Sequence, residues 1–414
     1  MSYCQVLRSG ANNTARGPAV SIAWAILALA LALLWQTATV HYDRGGNWTA
    51  LFLTGQTAAI PPDLAPGTYL FPGRGFDGEM YRYVAHDLFM QRGTVRYIDG
   101  PAQRYHRILV PALAYLLVAG HQPWIDASYI VVIAIFVLLG AYWFSRWAVS
   151  VGRHPAWALA FLLIPATVIS VDRMTIDVAL AAFTVAFAFY WRTGAWAKVF
   201  FVLMLACLAR ETGVLLTAGC CLVELFNRRW TRVALWASSA LPAFVWYLFI
   251  RQALPEKTHF GVPTWVAKRL GPGLFYRLFQ PPHYSLSPLL ETIARSGDVI
   301  ALAAILLASV LAILFVRANP RSPLAIAAGL FVVLVFLLTS AVYWTDVNGY
   351  ARVFSPLLML VALASMSGEG MSGESRMRWW VGLLPAILVD VRLGMELAPA
   401  AGGVVRGLLS WVSI

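Results

Sequence analysis

The chain of 414 residues is 60% hydrophobic and 12% charged, which excludes an ordinary soluble domain, since such domains are about 45–50% apolar and 25% charged. Its formal charge of +12 is spread thinly and forms no run that resembles a nucleic-acid patch, so membrane topology explains it better. The four cysteines lie in the N-terminal tail or in apolar runs without metal spacing, which predicts neither a disulfide frame nor a zinc site.

The predicted elements are apolar runs that recur along the whole chain and indicate an all-α polytopic membrane fold in one domain, 1–414. Several runs are shorter than the ~20 residues that cross a bilayer, so their ends extend into the polar motifs between them, and about 10–12 transmembrane helices are predicted. Arg8 and Arg16 precede the first run with no convincing cleavage site after it, which indicates an uncleaved signal anchor. The runs lie at about 20–40, 124–145, 157–171, 177–191, 198–209, 212–226, 233–250, 298–316, 323–343, 355–366 and 379–391.

The loops between these runs differ in charge on the two sides of the membrane. With a cytoplasmic N-terminus, and with 108–119 as an amphipathic surface helix, every second short loop is basic, as the positive-inside rule requires of the cytoplasmic side. Counting 108–119 as a span would reverse this pattern, so it is not predicted to cross the membrane. The basic loops carry Arg146, Arg153, Arg192, Lys198, Arg228, Arg229, Arg232, Arg317, Arg321, Arg376 and Arg378.

Nearly every acid close to a predicted span falls on the opposite, outer side. Two long loops are predicted there, at 41–123 and 251–297, together with short polar turns. Charges at span ends are costly in lipid unless they face a cavity or a partner, so these residues are candidates for function. The turns read "VDRMTID" with Asp172, Arg173 and Asp177, "LARET" with Arg210 and Glu211, and "YWTDVNGYAR" with Asp346, Tyr350 and Arg352.

The first long outer loop contains the stretch "GRGFDGEMYRYVAHD", residues 73–87, whose second half favours a helix. Asp77, at its start, has two readings: an N-cap that binds backbone amides, or a general base within reach of a substrate proton. Glu79 is read as a first-turn acid favoured by the helix dipole. Asp87 is either a second acid or a solvated helix end, and His86 is predicted to be structural.

Two arginines follow in the same loop, in "QRYHRILVP". Arg104 and Arg107 precede the amphipathic run, and they either anchor a surface helix to lipid headgroups or bind a substrate phosphate. The planar guanidinium group matches the geometry of phosphate oxygens. Both readings stay open at the level of sequence.

Arg173, Arg210 and Arg352 lie in the short outer turns, each with an acid nearby in sequence. Each is therefore either half of a structural ion pair or a ligand for phosphate. For Arg210 the ion pair is favoured slightly, because adjacent residues on a helix point to different partners. For Arg352 the phosphate is favoured, since this residue opens a span beside Tyr350, and a tie to Asp346 is the structural alternative.

These motifs, in this topology, resemble the GT-C class of integral-membrane glycosyltransferases, which use lipid-phosphate-linked sugars. "GFDGEMYRYVAHD" resembles the "YDGQFYYxIAxDP" signature of bacterial proteins linked to cell-surface glycopolymer formation, and "RYHRILVPALAYLL" resembles their following "YRxQRILLPxLAxLL". "LARETGVLL" and "YARVFSPLL" are similar to later turns of that family. Asp77 matches the family's acid and Arg107 its arginine before Ile-Leu, whereas Phe76, Glu79 and Leu88 depart from the signature.

The resemblance implies a GT-C-like bundle in the bacterial inner membrane, with the active site on the periplasmic or extracellular side. It implies transfer of a hexose or pentose from a polyprenyl-phosphate donor to a glycan, lipid or protein acceptor, with Asp77 as the base. No cofactor is expected, a divalent metal stays open, and the partners are the donor, the acceptor and membrane lipids, without nucleic acid. The expected substrate-binding residues are Glu79, Tyr81, Asp87, Arg104, Arg107, Asp172, Arg173, Asp177, Arg210, Glu211, Tyr350 and Arg352.

Two other classes of function remain at the level of sequence. A transporter or flippase of lipid-linked glycans would place charges near mid-membrane, whereas the middles of the predicted spans are nearly free of charge. A non-catalytic membrane protein of envelope assembly would keep the fold without the chemistry. The phosphate-loop, HExxH and GxSxG motifs are absent from the sequence.

Overall fold

A computed structural model describes residues 17–254, 272–280, 282–338, 341–368 and 379–412. Several sequence predictions lie outside these residues: the arginines of the N-terminal tail, the basic pair Arg376 and Arg378, and most of the middle of the predicted loop 251–297. The described residues are almost entirely helical. Their one pair of strands, β1 (Thr54–Gly55) and β2 (Leu70–Phe71), is parallel and lies in the first outer loop.

Most helices overlap predicted apolar runs, but the helix of the run 298–316 already begins at Pro288, inside the predicted loop 251–297, and that of the run 379–391 continues to Val412. The helices are α1 (Gly17–Asp43), α2 (Asp77–His86), α3 (Pro101–His106), α4 (Leu109–Leu117), α5 (Ile125–Ser150), α6 (Pro165–Arg173), α7 (Asp177–Arg192), α8 (Trp196–Ala209), α9 (Val214–Phe226), α10 (Trp230–Ser238), α11 (Leu241–Ala253), α12 (Pro272–Phe279), α13 (Pro288–Ala318), α14 (Pro323–Leu337), α15 (Ala341–Thr345), α16 (Val347–Ser367) and α17 (Leu384–Val412). Short 3-10 helices lie between them, the longest at Pro155–Leu163.

Four helices are long and apolar enough to cross a membrane: α1, α5 with its preceding turn, α13 and α16. Two further spans are counted if each of two bent pairs is one crossing. The 3-10 helix Pro155–Leu163 meets α6 at 67°, and α10 meets α11 at 49°. Proline explains both bends, because Pro165 and Pro242 stand in the first turn of the second helix, where a missing N–H is tolerated but a continuous helix is not. The protein is therefore an all-α polytopic membrane protein.

The core of the bundle is formed by α7 and α16, which are enclosed by other helices over most of their length. From Asp177 to Phe189 every residue of α7 is buried, and α16 is buried on nearly all sides against α7, α13, α14 and α17. Alanine supplies many of their positions, and small side chains let helices approach closely within a membrane. Because these two helices are shielded from lipid, charged residues at their ends face protein or water.

The segment between α1 and α5 covers one end of this bundle with α2, α3, α4 and the strand pair. Gly73 has φ of +85°, a conformation that glycine adopts without strain. Gly78 lies so close to the backbone carbonyl of Arg173 that a Cβ at this position would overlap it. The glycine-rich entry to α2 thus lets the helix rest directly on the end of α6. At nine residues, α4 is too short to cross a bilayer.

The two ends of the bundle differ in charge, as the loops predict. At the end opposite to α2, Arg153 donates to the carbonyl of Met366, and Arg192 donates to that of Ser150. At the α2 end, α6, α7, α8 and α16 bring together the acids and arginines of the three short turns. Which compartment each end faces stays a prediction.

Candidate active site at the α2 end of the bundle

Asp77 is the centre of a group of ion pairs between segments that are far apart in sequence. Its Oδ1 accepts from Arg104 Nη2 at 2.7 Å, and its Oδ2 lies 2.7 Å from Arg352 Nη1. Burial alone would raise the pKa of Asp77, but the guanidinium groups of Arg352 and Arg104 hold this pKa well below its usual value. The carboxylate is therefore charged at neutral pH.

Arg352 extends this group towards α7. Its Nη1 lies 3.5 Å from Oδ2 of Asp177, and its Nε donates to the carbonyl of Asn348 at 2.7 Å. Asp177 in turn pairs with Arg210, which follows α8. Burial, and then the nearby guanidinium of Arg107, lower the pKa of Arg210 to about 10.

Arg107 forms a separate ion pair in the site. It makes a two-pronged ion pair with Glu211, in which Nε lies 2.8 Å from Oε2 and Nη2 contacts Oε1. Tyr81 connects Arg107 to Arg104, because its hydroxyl accepts from Arg107 Nη1 at 2.9 Å and from Arg104 Nη1 at 3.4 Å. Burial opposes the charge of Glu211, but Arg107 lowers its pKa to about 2.

We call the seven ionised residues Asp77, Arg104, Arg107, Asp177, Arg210, Glu211 and Arg352 the Asp77 cluster. Within the cluster four arginines face three carboxylates, and Asp99 at its edge also accepts from Arg104, at 2.8 Å and 3.0 Å, so the charges balance. The side chain of Asp77 is 22% exposed and that of Glu211 is 44% exposed, whereas Arg107 and Arg210 are each 4% exposed. Water therefore reaches Asp77 and Glu211 but not Asp177, whose side chain is 3% exposed. The buried guanidinium groups of Arg107 and Arg210 beneath them suit an anion.

Several alternatives left open by the sequence are wrong in this geometry. Asp77 is not an N-cap: Phe76 holds that position without a side-chain cap, and Asp77 binds arginines instead of amides. Arg352 is not tied to Asp346, which caps α16 by accepting from the amide of Asn348 at 3.0 Å. Neither Arg104 nor Arg107 anchors a surface helix to lipid, since both are buried among acids.

The adjacent pair Arg210 and Glu211 point to different partners, as their positions predict, because each binds a residue from another segment. Asp172 and Arg173 do pair with each other, at 3.2 Å. Asp172 also accepts from the indole N–H of Trp35 at 3.1 Å, and the guanidinium of Arg173 lies over the ring of Phe76. This pair ties α1 and α6 to the start of α2, beside the Asp77 cluster.

Two further candidates, Glu79 and Asp87, have contacts of a structural kind. Glu79 is fully buried and accepts from the amide of Gly55 at 3.1 Å and from Tyr83 at 2.8 Å. Burial raises the pKa of Glu79, so its carboxyl group ionises less readily than that of Asp77. Asp87 is neither a second acid of the site nor a solvated end: it is buried and accepts from the amides of residues 91, 92 and 94.

His86 and Tyr350 also lie away from Asp77 in their contacts. His86 is held between Gln122 and Asp126, in agreement with its predicted structural role. Tyr350 is fully buried and stacks on Trp344, with ring centroids 5.6 Å apart. Its hydroxyl has no hydrogen-bond partner among the described residues.

Sequence reasoning missed a second charged group near the same end, which we call the Asp298 cluster: Arg277, Tyr284, Asp298, Arg392 and Glu396. Asp298 lies 2.8 Å from both Arg277 and Arg392 and accepts from Tyr284 at 2.7 Å. These residues lie on α12, α13, α17 and the turn before α13. A signal was present, since Asp298 and Arg392 stand at the edges of apolar runs at 298–316 and 379–391.

Within the residues that the structure describes, no three side chains of histidine, cysteine, aspartate or glutamate come together as a metal site. Comparison of the chain with protein-family models, with curated proteins and with solved structures gives no match. The function is therefore argued from the residues and geometry of the Asp77 cluster.

Proposed function

We propose that this protein is a glycosyltransferase of the GT-C type, which moves a sugar from a polyprenyl-phosphate donor to a hydroxyl of a glycan, lipid or protein. The observation that carries the proposal is the direct contact of a water-accessible carboxylate, Asp77, with two largely buried arginines, Arg104 and Arg352, from different segments. This juxtaposition provides a proton acceptor beside a site for the phosphate leaving group. Its position at one end of a membrane bundle suits a lipid-linked substrate.

The arginines account for the donor. A phosphodiester linked to a lipid carries one negative charge that must be neutralised at the membrane boundary. Arg107 and Arg352 both lie within electrostatic range of Arg210, and each of the three is held by an ion pair, so a phosphate meets donors that are already in place. Preorganised charge of this kind is usually the largest contribution to catalysis.

Asp77 accounts for the acceptor. The acceptor hydroxyl attacks the anomeric carbon with its oxygen lone pair, and its proton passes to a carboxylate oxygen of Asp77. The bond between the anomeric carbon and the phosphate oxygen breaks, and its electron pair leaves with the phosphate. The arginines stabilise the charge that develops on that oxygen.

The side of the membrane that Asp77 faces follows from the proposal and from the charge of the loops. Basic short loops at the end opposite to Asp77 favour the cytoplasm for that end, so Asp77 faces the outside of a bacterial cytoplasmic membrane. The full complement of about 10–12 spans belongs to the same proposal, since shorter helices such as α8 and α14 then cross as well.

Incubation of purified protein with labelled polyprenyl-phosphate sugars, with and without candidate acceptors, tests the proposal. We expect loss of the labelled donor and appearance of free polyprenyl phosphate in wild-type protein. Transport of intact donor across a proteoliposome bilayer, with no loss of donor, would instead establish a flippase. Full retention of every donor in both assays would reject both functions.

A further inference from the structure

The contacts of Asp77 conflict with its role as a base. Both carboxylate oxygens are occupied by guanidinium groups at 2.7 Å. Such pairs stabilise the charged form, and a carboxylate held in this way is a weak proton acceptor, because a general base works best when its pKa lies near the working pH. The arrangement seen here therefore requires a change before Asp77 takes a proton.

Arg352 has a second carboxylate within reach. The same Nη1 atom that meets Asp77 lies 3.5 Å from Asp177, and the Nε of Arg352 is fixed by the carbonyl of Asn348. Asp177 is itself anchored by Arg210 on the buried start of α7. The guanidinium thus stays at the site when it leaves Asp77, since its stem and its second partner remain.

We propose that Asp77 is an internal competitor of the substrate's anionic group, so that a phosphodiester draws Arg352 away from Asp77 and thereby makes Asp77 available as a base. The inference rests on the proposed function, because it assigns an order to that reaction. The donor binds first, and the acceptor hydroxyl loses its proton only when donor is present.

The competition makes binding depend on pH. Asp77 faces Arg104 from α3 and Arg352 from α16. Arg104 also pairs with Asp99, and Arg352 also pairs with Asp177. The helix of Asp77 itself carries Glu79. An added phosphodiester brings negative charge and removes a cation, so it favours protonation of Asp77. By linkage, protonation of Asp77 favours the phosphodiester, and affinity should rise as pH falls from 7 to 5.

The probe is methyl farnesyl phosphate, a phosphodiester with an isoprenoid chain and no sugar to transfer, and its affinity is measured by calorimetry on purified protein. We expect Asp77→Asn to bind the probe more tightly than wild type at pH 7 by at least ~5-fold, the lower end of ordinary coupling between sites. The rise of affinity at low pH should be lost in this variant. Asp63→Asn, which removes an exposed acid of the same segment, should change the affinity by less than ~2-fold, because an exposed charge is screened.

The outcomes separate the two proposals. Probe binding that is unchanged or weaker in Asp77→Asn overturns the competition and leaves the phosphate site standing. An equal gain in probe affinity in Asp63→Asn also overturns the competition, since the gain would then reflect the overall charge of the protein. No binding by wild type or by Asp77→Asn rejects the phosphate site, and the proposed function falls with it. The pH series on wild type needs no variant, so misfolding cannot imitate a positive result.

Discussion

The Asp77 cluster and the Asp298 cluster are made of the same residue types at neighbouring places in the bundle, but they differ in exposure. The side chain of Asp298 is 5% exposed, and its carboxylate is closed off by two arginines and a tyrosine. The side chain of Asp77 is 22% exposed and is bordered by Glu211 and Asp99, which are 44% and 65% exposed. One carboxylate is sealed in protein, and the other is open to water.

We propose that this difference in exposure separates a structural role, for the Asp298 cluster, from a catalytic one, for the Asp77 cluster. A buried ion group with all its partners in place fixes helices and has no room for a ligand, and removal of one partner is strongly destabilising. The Asp298 cluster joins α12, α13 and α17 in this way. An accessible carboxylate above buried arginines is suited to exchange partners with a substrate. If so, changes in the Asp77 cluster should reduce activity, and changes in the Asp298 cluster should reduce stability.

The largest expected effect is on the rate of Asp77→Asn. The amide keeps the size of the side chain but accepts no proton, so sugar transfer should fall by ~10²–10⁴-fold, the usual contribution of a positioned base. Donor consumption under single-turnover conditions measures it, with Asp63→Asn as the control in the same segment. Near-normal turnover in a folded Asp77→Asn protein would remove Asp77 from the base role.

The second prediction concerns Asp298→Asn. Loss of this charge leaves Arg277 and Arg392 buried without their shared counter-ion, and breaking such a group typically costs about 3–5 kcal/mol. Thermal unfolding in detergent should show a large drop in melting temperature, while the folded fraction keeps its affinity for the donor. A variant of normal stability with weakened donor binding would reverse the assignment of the two clusters.

A smaller effect is expected for Arg352→Lys. Lysine keeps the charge but loses the planar fork, so donor affinity should fall by ~10-fold, the equivalent of one strong hydrogen bond to a charged group. Asp346→Asn is the matched comparison, because Asp346 caps the same helix without touching Arg352 and should cost at most ~1 kcal/mol of stability. Unchanged donor binding in Arg352→Lys would exclude Arg352 from the phosphate site.

The smallest effect is expected from pH. The pKa of Glu211 is about 2 in the folded protein, below its ordinary value, so its pairing with Arg107 adds stability above the unfolded pKa. That contribution is lost as pH falls from ~5 towards 2. Unfolding scans should therefore show a shallower loss of melting temperature with falling pH in Glu211→Gln than in wild type. Parallel curves would mean that this pair adds nothing to stability.

The helical bundle and the convergence of the polar turns could be predicted from the sequence, because apolar runs and charged turns are visible in it. Most helices overlap predicted apolar runs, and the acids and arginines of the short turns do meet at one end of the bundle. The runs and the turns need no knowledge of which helices touch. The bends at Pro165 and Pro242 interrupt the runs at 157–171 and 233–250 and were not predicted, although a proline in each run was a signal.

The pairing of charges was not predictable, because it depends on contacts between distant segments. Arg352 has Asp346 six residues away in sequence, but it binds Asp77, which lies on another element. Asp87 looks like a solvated end until the loop after it folds back and surrounds the carboxylate with amides. The Asp298 cluster went unseen because its members come from three helices and a turn.

The central claim is that the Asp77 cluster, and not the Asp298 cluster, transfers the sugar. The most direct test measures donor consumption and melting temperature side by side in wild type, Asp77→Asn and Asp298→Asn, with a labelled polyprenyl-phosphate sugar. We expect Asp77→Asn to lose turnover at a near-normal melting temperature, and Asp298→Asn to lose stability while its folded fraction still consumes donor. Loss of turnover in folded Asp298→Asn, together with normal turnover in Asp77→Asn, would contradict the account.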